Sequence, residues 1–236
     1  MAWSAKPSGG YTISSTEGTG NILEANGFLN SKGYQLEAQA GLLANVFWES
    51  ALNPWRWQSD TYNTSNGYGL FQFTPASGYL NLSNQGIQGF APNLSTSIQT
   101  QGASPSDGWA QLIVVDDDIL GKWVPSCWRS YWSPTYDNFL NLRQQVLDDY
   151  GNGSSITLAQ FRNIGDGTGN FQDLAEATFA FLACFEGPAI PNVTERTQTA
   201  QDIWAILSGD TPPEPPTPPT PGIGSQHTMP FYLYFV

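Results

Sequence analysis

The chain has little positive charge: eight Lys and Arg stand against twenty Asp and Glu, for a net charge of −12. Neutralising phosphates needs a basic patch, so nucleic acid is excluded as a partner. The same deficit removes long-range attraction to anionic membranes and cell walls, and points to a protein held at its place of action by attachment. The only histidine is His227, in the C-terminal tail. Ser-His, Cys-His and zinc-hydrolase chemistry would each have to use it, so none is expected. With no Cys/His metal spacing, neither a metal nor a cofactor is expected. The two cysteines, Cys127 and Cys184, lie far apart between aromatic neighbours. They do not make a disulfide framework and are read as two buried free thiols. No apolar run reaches the ~18–20 residues that span a bilayer. The opening MAWSAKPSGG has no apolar h-region, so no secretory signal is expected.

Aromatic residues, by contrast, are plentiful at 14%, and charged ones sparse at 12%. That balance suits a surface for flat, weakly charged ligands such as sugars, or a ring-rich core. Residues 1–15 are small and polar and read as a flexible arm. Residues 16–209 read as one mainly helical domain. Asn21 to Leu29 predicts a short helix stopped by Gly33. In the run from Tyr34 to Leu52, Leu36, Ala40, Leu43 and Phe47 fall at i, i+4, i+7 and i+11, one face of a helix that Asn53-Pro54 ends. Trp55 to Gly69, with turn formers among β-branched and aromatic residues, predicts a small β-hairpin. Thr74-Pro75 predicts an N-cap and first helical position. Residues 86–108 read as loop. Helices are expected over 109–123, 136–150, 157–164, 174–185 and from a Thr194 cap to 207, with Gly209 closing the last. Asp116 to Asp118 reads as a solvated face. Trp128, Tyr131, Trp132 and Tyr136 form an aromatic cluster, read as a cleft wall.

Seven of the thirteen residues of 210–222 are proline, which predicts a semi-rigid polyproline linker extended by ~3.1 Å per residue. Residues 223–236 end in the apolar FYLYFV. This peptide is too short to span a bilayer and suits strand addition to a partner's sheet, or contact with a membrane.

Glu49, near the end of the strongest predicted helix, is the candidate catalytic acid. Glycoside hydrolysis needs a carboxyl group that keeps its proton near neutral pH, which a partly apolar pocket favours, and a second group opposite it. Val46, Phe47 and Trp48 precede Glu49. Asp60, in the polar loop beyond, is the candidate second carboxylate. Tyr68, Gln72, Thr74, Asn63 and Trp55 are the candidates for sugar contact. Each also has a packing or turn-forming alternative.

The phrases AGLLANVFWESALNP and NTSNGYGLFQFTPASGYLN, followed later by Phe185-Glu186-Gly187-Pro188, Glu195-Arg196 and Trp204, resemble the phage tail lysozyme family. Its pattern runs AG-hydrophobic-LGN-x-x-x-ES-x-[LI]-NP, then GYGL-x-QWTP, then YERP, ER and a Trp-bearing helix. The resemblance covers about residues 20 to 208. It implies an α+β, mainly α, two-lobed lysozyme-like fold with a small β-hairpin lobe. It also implies a muramidase that cleaves the bond between N-acetylmuramic acid and N-acetylglucosamine in peptidoglycan, with Glu49 as general acid and Asp60 as its companion. Such a protein is made in the host cytoplasm and carried in the virion, docked to tail-tip or tail-tube proteins through residues 223–236. A lytic transglycosylase and a non-catalytic tail plug are the rival readings. LGN is LAN here, QWTP is QFTP, and YERP has Gly187 in place of its arginine. That last departure leaves Glu186, read as structural, to find another cation, with Arg196 the candidate.

Overall fold

The computed structural model describes residues 3–6, 8–82, 107–132 and 139–209. The linker and peptide expected over 210–236, and most of the loop expected over 86–108, lie outside the described residues. Helix α1 spans Thr16–Ser31 and α2 Leu36–Ser50. A 3-10 turn, Gln58–Asp60, and a short α3, Ala76–Leu80, follow. Then come α4, Asp107–Asp116, and α5, Phe139–Asp149. The order closes with α6, Leu158–Phe161, α7, Phe171–Phe181, and α8, Val193–Ser208.

Helix α2 is the centre of the domain, packed chiefly on α7 and α8. The sequence suggested one apolar stripe, but α2 is buried almost all round, with Glu37, Gln39 and Asn45 inaccessible among its apolar residues. Each of the three is satisfied, as burial requires. Glu37 accepts the Gly169 and Gly167 amides at 2.6 and 3.2 Å. Gln39 Nε2 donates to the Tyr34 carbonyl, and Asn45 Nδ2 donates to the carbonyls of Gly41 and Thr178. Gly41 is required at the α2–α7 crossing, because a Cβ there would come within 2.6 Å of the Thr178 nitrogen. Helix α2 stops at Ala51, which takes a left-handed conformation with φ 49°, two residues ahead of Asn53-Pro54.

The N-terminal segment is extended and tied to this helix end. The Tyr11 amide donates to the Ala51 carbonyl, and the Asn53 side chain bonds the backbone of Lys6 and Gly9. Trp3 is buried against Gly108.

Several sequence expectations are corrected. Among the described residues the hairpin lobe has no strand ladder, only an isolated antiparallel bridge between Trp57 and Tyr68. Positive φ at Ser59, Asp60 and Gln72 breaks the extended geometry a ladder needs. Pro75 rather than Thr74 caps α3, and Asn192 rather than Thr194 precedes α8. Helix α4 ends at Asp116, and Asp118 turns left-handed while its carboxylate accepts the Lys122 and Trp123 amides. The predicted helix over 174–185 begins at Phe171 and changes to a π turn, Leu182–Glu186, in its last residues. Asp116 is not on a solvated face. It is buried, 2.8 Å from Arg162 Nη2 and 3.1 Å from Lys32 Nζ, and accepts the Tyr34 hydroxyl at 2.9 Å. Cys127 and Cys184 are not free thiols but form a disulfide, their Cα atoms 4.6 Å apart. A separation of 57 residues hid from the sequence what tertiary packing brings together.

Two measurements test this core. Asp116→Ala strands Arg162 and removes the anchor of Tyr34, so urea unfolding should show a loss of about 2–4 kcal/mol. Burial, reinforced by Asp149 and Asp173, raises the Glu176 carboxyl to about 7, against the pull of the Gln172 hydrogen bond. Its contribution is complete below the unfolded value of about 4.3 and is lost as pH rises through about 7. Thermal stability should therefore fall between pH 5 and pH 8, and Glu176→Gln should flatten that slope.

Candidate functional site

Glu49 occupies the last turn of α2, where the helix dipole disfavours a negative charge. The compensating cation comes from α8. Arg196 is buried at 3% exposure, and its Nη2 lies 2.8 Å from Glu49 Oε1. Its Nη1 donates to Asn45 Oδ1 at 2.9 Å, and its guanidinium lies over the Trp48 ring at 5.6 Å. The Trp48 indole donates in turn to Thr199 Oγ1. Positions 45, 48 and 49 share one helical turn and face, so a single turn of α2 is locked to α8 through one arginine. The Glu49 side chain nevertheless keeps 20% of its surface exposed, toward a cavity of about 490 Å³.

Glu186 lines the same cavity. It is the last residue of the π turn Leu182–Glu186, a distortion that often re-aims side chains at functional sites. Its Oε1 is buried with no hydrogen-bond partner. Burial first, and the neighbouring Glu49 second, push the Glu186 carboxyl well above the usual range, against the pull of Arg196, Lys122 and Arg129. Lys122 also lines the cavity, and burial draws its ammonium downward while Glu186 opposes the shift. Gln58, Gln72, Thr74 and Phe71 also line the cavity. Gln72 Nε2 donates to the carbonyls of Gly69 and Arg56 at 2.9 and 3.2 Å, which leaves the amide oxygen as the group it can offer. The arrangement is two neighbouring carboxyls, one of them raised by burial and by the other, in a cavity also lined by neutral hydrogen-bonding groups.

Of the residues singled out in the sequence, the cavity brings together Glu49, Gln72 and Thr74. Asp60, Asn63, Tyr68 and Trp55 are not among its lining residues. Asp60 is exposed, and its Oδ1 accepts the Gly9 amide at 2.8 Å and lies 3.9 Å from Arg56 Nε. Asn63 is exposed and accepts the Ser65 amide, closing a local turn. Tyr68 is fully buried, its ring 4.6 Å from Trp57 and 5.9 Å from Tyr79, and Trp55 is buried as well. Arg196, the expected cation for Glu186, makes its hydrogen bond to Glu49 instead.

The missing arginine at 187 has a structural cause. Gly187 has φ +59°, and a Cβ there would meet Arg129 Cζ at 2.7 Å and the Tyr131 hydroxyl at 2.8 Å. Arg129 fills that space and donates to the carbonyls of Ala183, Cys184 and Phe185 at 2.7, 3.1 and 3.1 Å. A guanidinium thus stands near Glu186, delivered from another segment. Gln58, Lys122 and Arg129 carried no motif by which the sequence could have marked them.

The family model described as phage tail lysozyme matches residues 20–207. Morphogenesis protein 1 of Bacillus phage B103 is 27% identical over 199 residues, which cover 84% of this chain and 42% of that protein. The chain therefore spans less than half the length of this relative.

Restoring the family's arginine alone should harm the protein. Gly187→Arg should lower the melting temperature markedly, as a left-handed backbone and the Arg129 clash add together. Arg129→Ala in the same chain should recover part of that loss, which a double-mutant cycle by thermal denaturation would measure.

Proposed function

The chain belongs to the phage tail lysozyme family, and from that premise we propose that it is a glycoside hydrolase acting on the glycan strands of peptidoglycan. The finer reading is a muramidase that cuts between N-acetylmuramic acid and N-acetylglucosamine. The observation that carries it is the pair Glu49 and Glu186, which line one cavity together with Gln58, Gln72 and Thr74.

In this reading Glu49, the carboxyl that reaches the open side, gives a proton to the glycosidic oxygen as the bond to the anomeric carbon breaks. The positive charge that develops on the sugar is stabilised by the carboxylate left behind, and a water completes the exchange by adding hydroxide to the anomeric carbon and releasing a proton. The pair holds one proton: Glu186, raised by burial and by the neighbouring carboxyl, stores it at rest and hands it to Glu49, which delivers it to the glycosidic oxygen. Arg196 fixes the Glu49 rotamer, and the wall amides and hydroxyl orient the sugars. Asp60, expected as the second carboxylate, lies apart from the cavity lining and is bonded to the Gly9 amide, so Glu186 is the better companion.

A phage morphogenesis protein among the relatives supports a place in the virion. Residues 210–222 would then be a spacer, and 223–236 a peptide docked to tail proteins. This would deliver the activity to the wall without the basic surface that the composition lacks.

Glu49→Gln should reduce glycan cleavage at least ~100-fold, read by release of reducing ends from purified peptidoglycan. Unaltered cleavage would remove Glu49 from the mechanism. Glu186→Gln takes away the carboxyl that shares the proton, so the alkaline limb of its rate profile should move to lower pH. An unchanged profile would exclude Glu186 from the pair. Mass spectrometry of the products should show reducing N-acetylmuramic acid ends, and 1,6-anhydro ends would assign a transglycosylase instead.

A further inference from the structure

The segment 124–132 lies along the cavity rim like a strap. The Val124 amide donates to the Cys184 carbonyl at 2.6 Å, Cys127 is bonded to Cys184, and Arg129 holds three successive carbonyls. Tyr131 donates its hydroxyl to the Gly187 carbonyl at 2.5 Å, and the Trp132 indole donates to the Pro188 carbonyl at 2.6 Å. Gly187 and Pro188 line the carboxylate cavity. The tip of the Tyr131 side chain is therefore fixed at the edge of the site.

Its ring is not covered. Tyr131 is 60% exposed, and Ile190, just beyond the same rim, is 59% exposed. A tyrosine that needed only solubility would leave its hydroxyl in water. This one uses the hydroxyl to hold the ring in place, and glycine at 187 is what lets the hydroxyl approach so closely. Immobilising a side chain before binding removes an entropic cost from the binding step.

We infer that the Tyr131 ring is a stacking platform for a sugar of an N-acetylated glycan, forming a subsite beside the carboxylate pair. The inference rests on the glycan-cleaving reading above. A pyranose presents C–H bonds on its faces and hydroxyls around its edge. The electron-rich face of a phenol ring attracts those C–H groups, while the edge hydroxyls and acetamides turn to polar partners. Gln58, Gln72 and Thr74 supply such partners in the cavity lining. The site thus offers an aromatic ring at its rim and polar groups beside the carboxyls in its lining.

The test uses the full chain and a tetramer of N-acetylglucosamine, with its dissociation constant measured by calorimetry. Tyr131→Ala should weaken binding about fivefold or more, the size of one aromatic contact. Tyr131→Phe, which keeps the ring and loses the bond that holds it, should weaken binding about two- to threefold, clearly less than Tyr131→Ala. In that chain, the Tyr131 ring resonances should shift as the tetramer is added. Equal losses for Phe and Ala would show that the hydroxyl bond matters and not the ring, and would overturn the platform. Unchanged binding by Tyr131→Ala, or unmoved ring resonances, would overturn it too. If the unaltered chain still cleaves peptidoglycan in those cases, only the platform falls. If it neither binds the tetramer nor cleaves, the glycan reading falls with it.

Discussion

One buried guanidinium holds the site together. Arg196 reaches from α8 to the last turn of α2, where it bonds Asn45 and Glu49 and lies over Trp48. A carboxylate at a helix C-terminus is electrostatically misplaced, and without this cation Glu49 would have no compensating charge from α8. Asn45 connects the same arginine to α7 through the Thr178 carbonyl. Helix α2 and the later pair α7 and α8 are thereby fixed at the point where the cavity opens, and the orientation of Glu49 depends on all three. The close approach at Gly41 lets Asn45 reach across.

The second carboxyl is held by different means. Glu186 hangs on a π turn, and that turn is kept in shape by carbonyl bonds from Arg129, the disulfide and the two aromatic donors of the strap. Glu49 is oriented by a direct ion pair, whereas Glu186 is positioned through its backbone while its own oxygen goes unpartnered. The asymmetry suits a pair that shares a proton, since one member is fixed by charge and the other is free to hold hydrogen.

Much of this was legible in the sequence, for identifiable reasons. The helices of α1, α2, α7 and α8 announce themselves through apolar spacing, glycine stops and the Asn53-Pro54 break, because local sterics decide them. Glu49 was legible through its setting, and Gln72 and Thr74 through the turn that follows. What escaped was everything decided by tertiary approach. Asp116 looks like one of three solvated acids until Lys32, Arg162 and Tyr34 converge on it. Asp60 is near Glu49 in sequence, yet its carboxylate is taken up by the N-terminal segment. Tyr68 has the composition of a sugar-binding residue but serves the core of its lobe, and the turn glycines that suggested a hairpin support irregular backbone instead. Glu186 was marked by a motif, but its partner at Glu49 became visible only when α7 and α8 were in place.

The disulfide has a topological consequence. It converts the chain between Cys127 and Cys184 into a covalent ring that encloses α5, α6 and α7, with α1 to α4 on one arm and Glu186 and α8 on the other. Arg129 and Tyr131 lie just inside the ring and Glu186 just outside it, each two to four residues from the bond that closes it. A single peptide cut anywhere within the ring would leave both arms, and the two sides of the rim, joined in one molecule. Connectivity at this site would thus survive a backbone break that would divide an open chain in two.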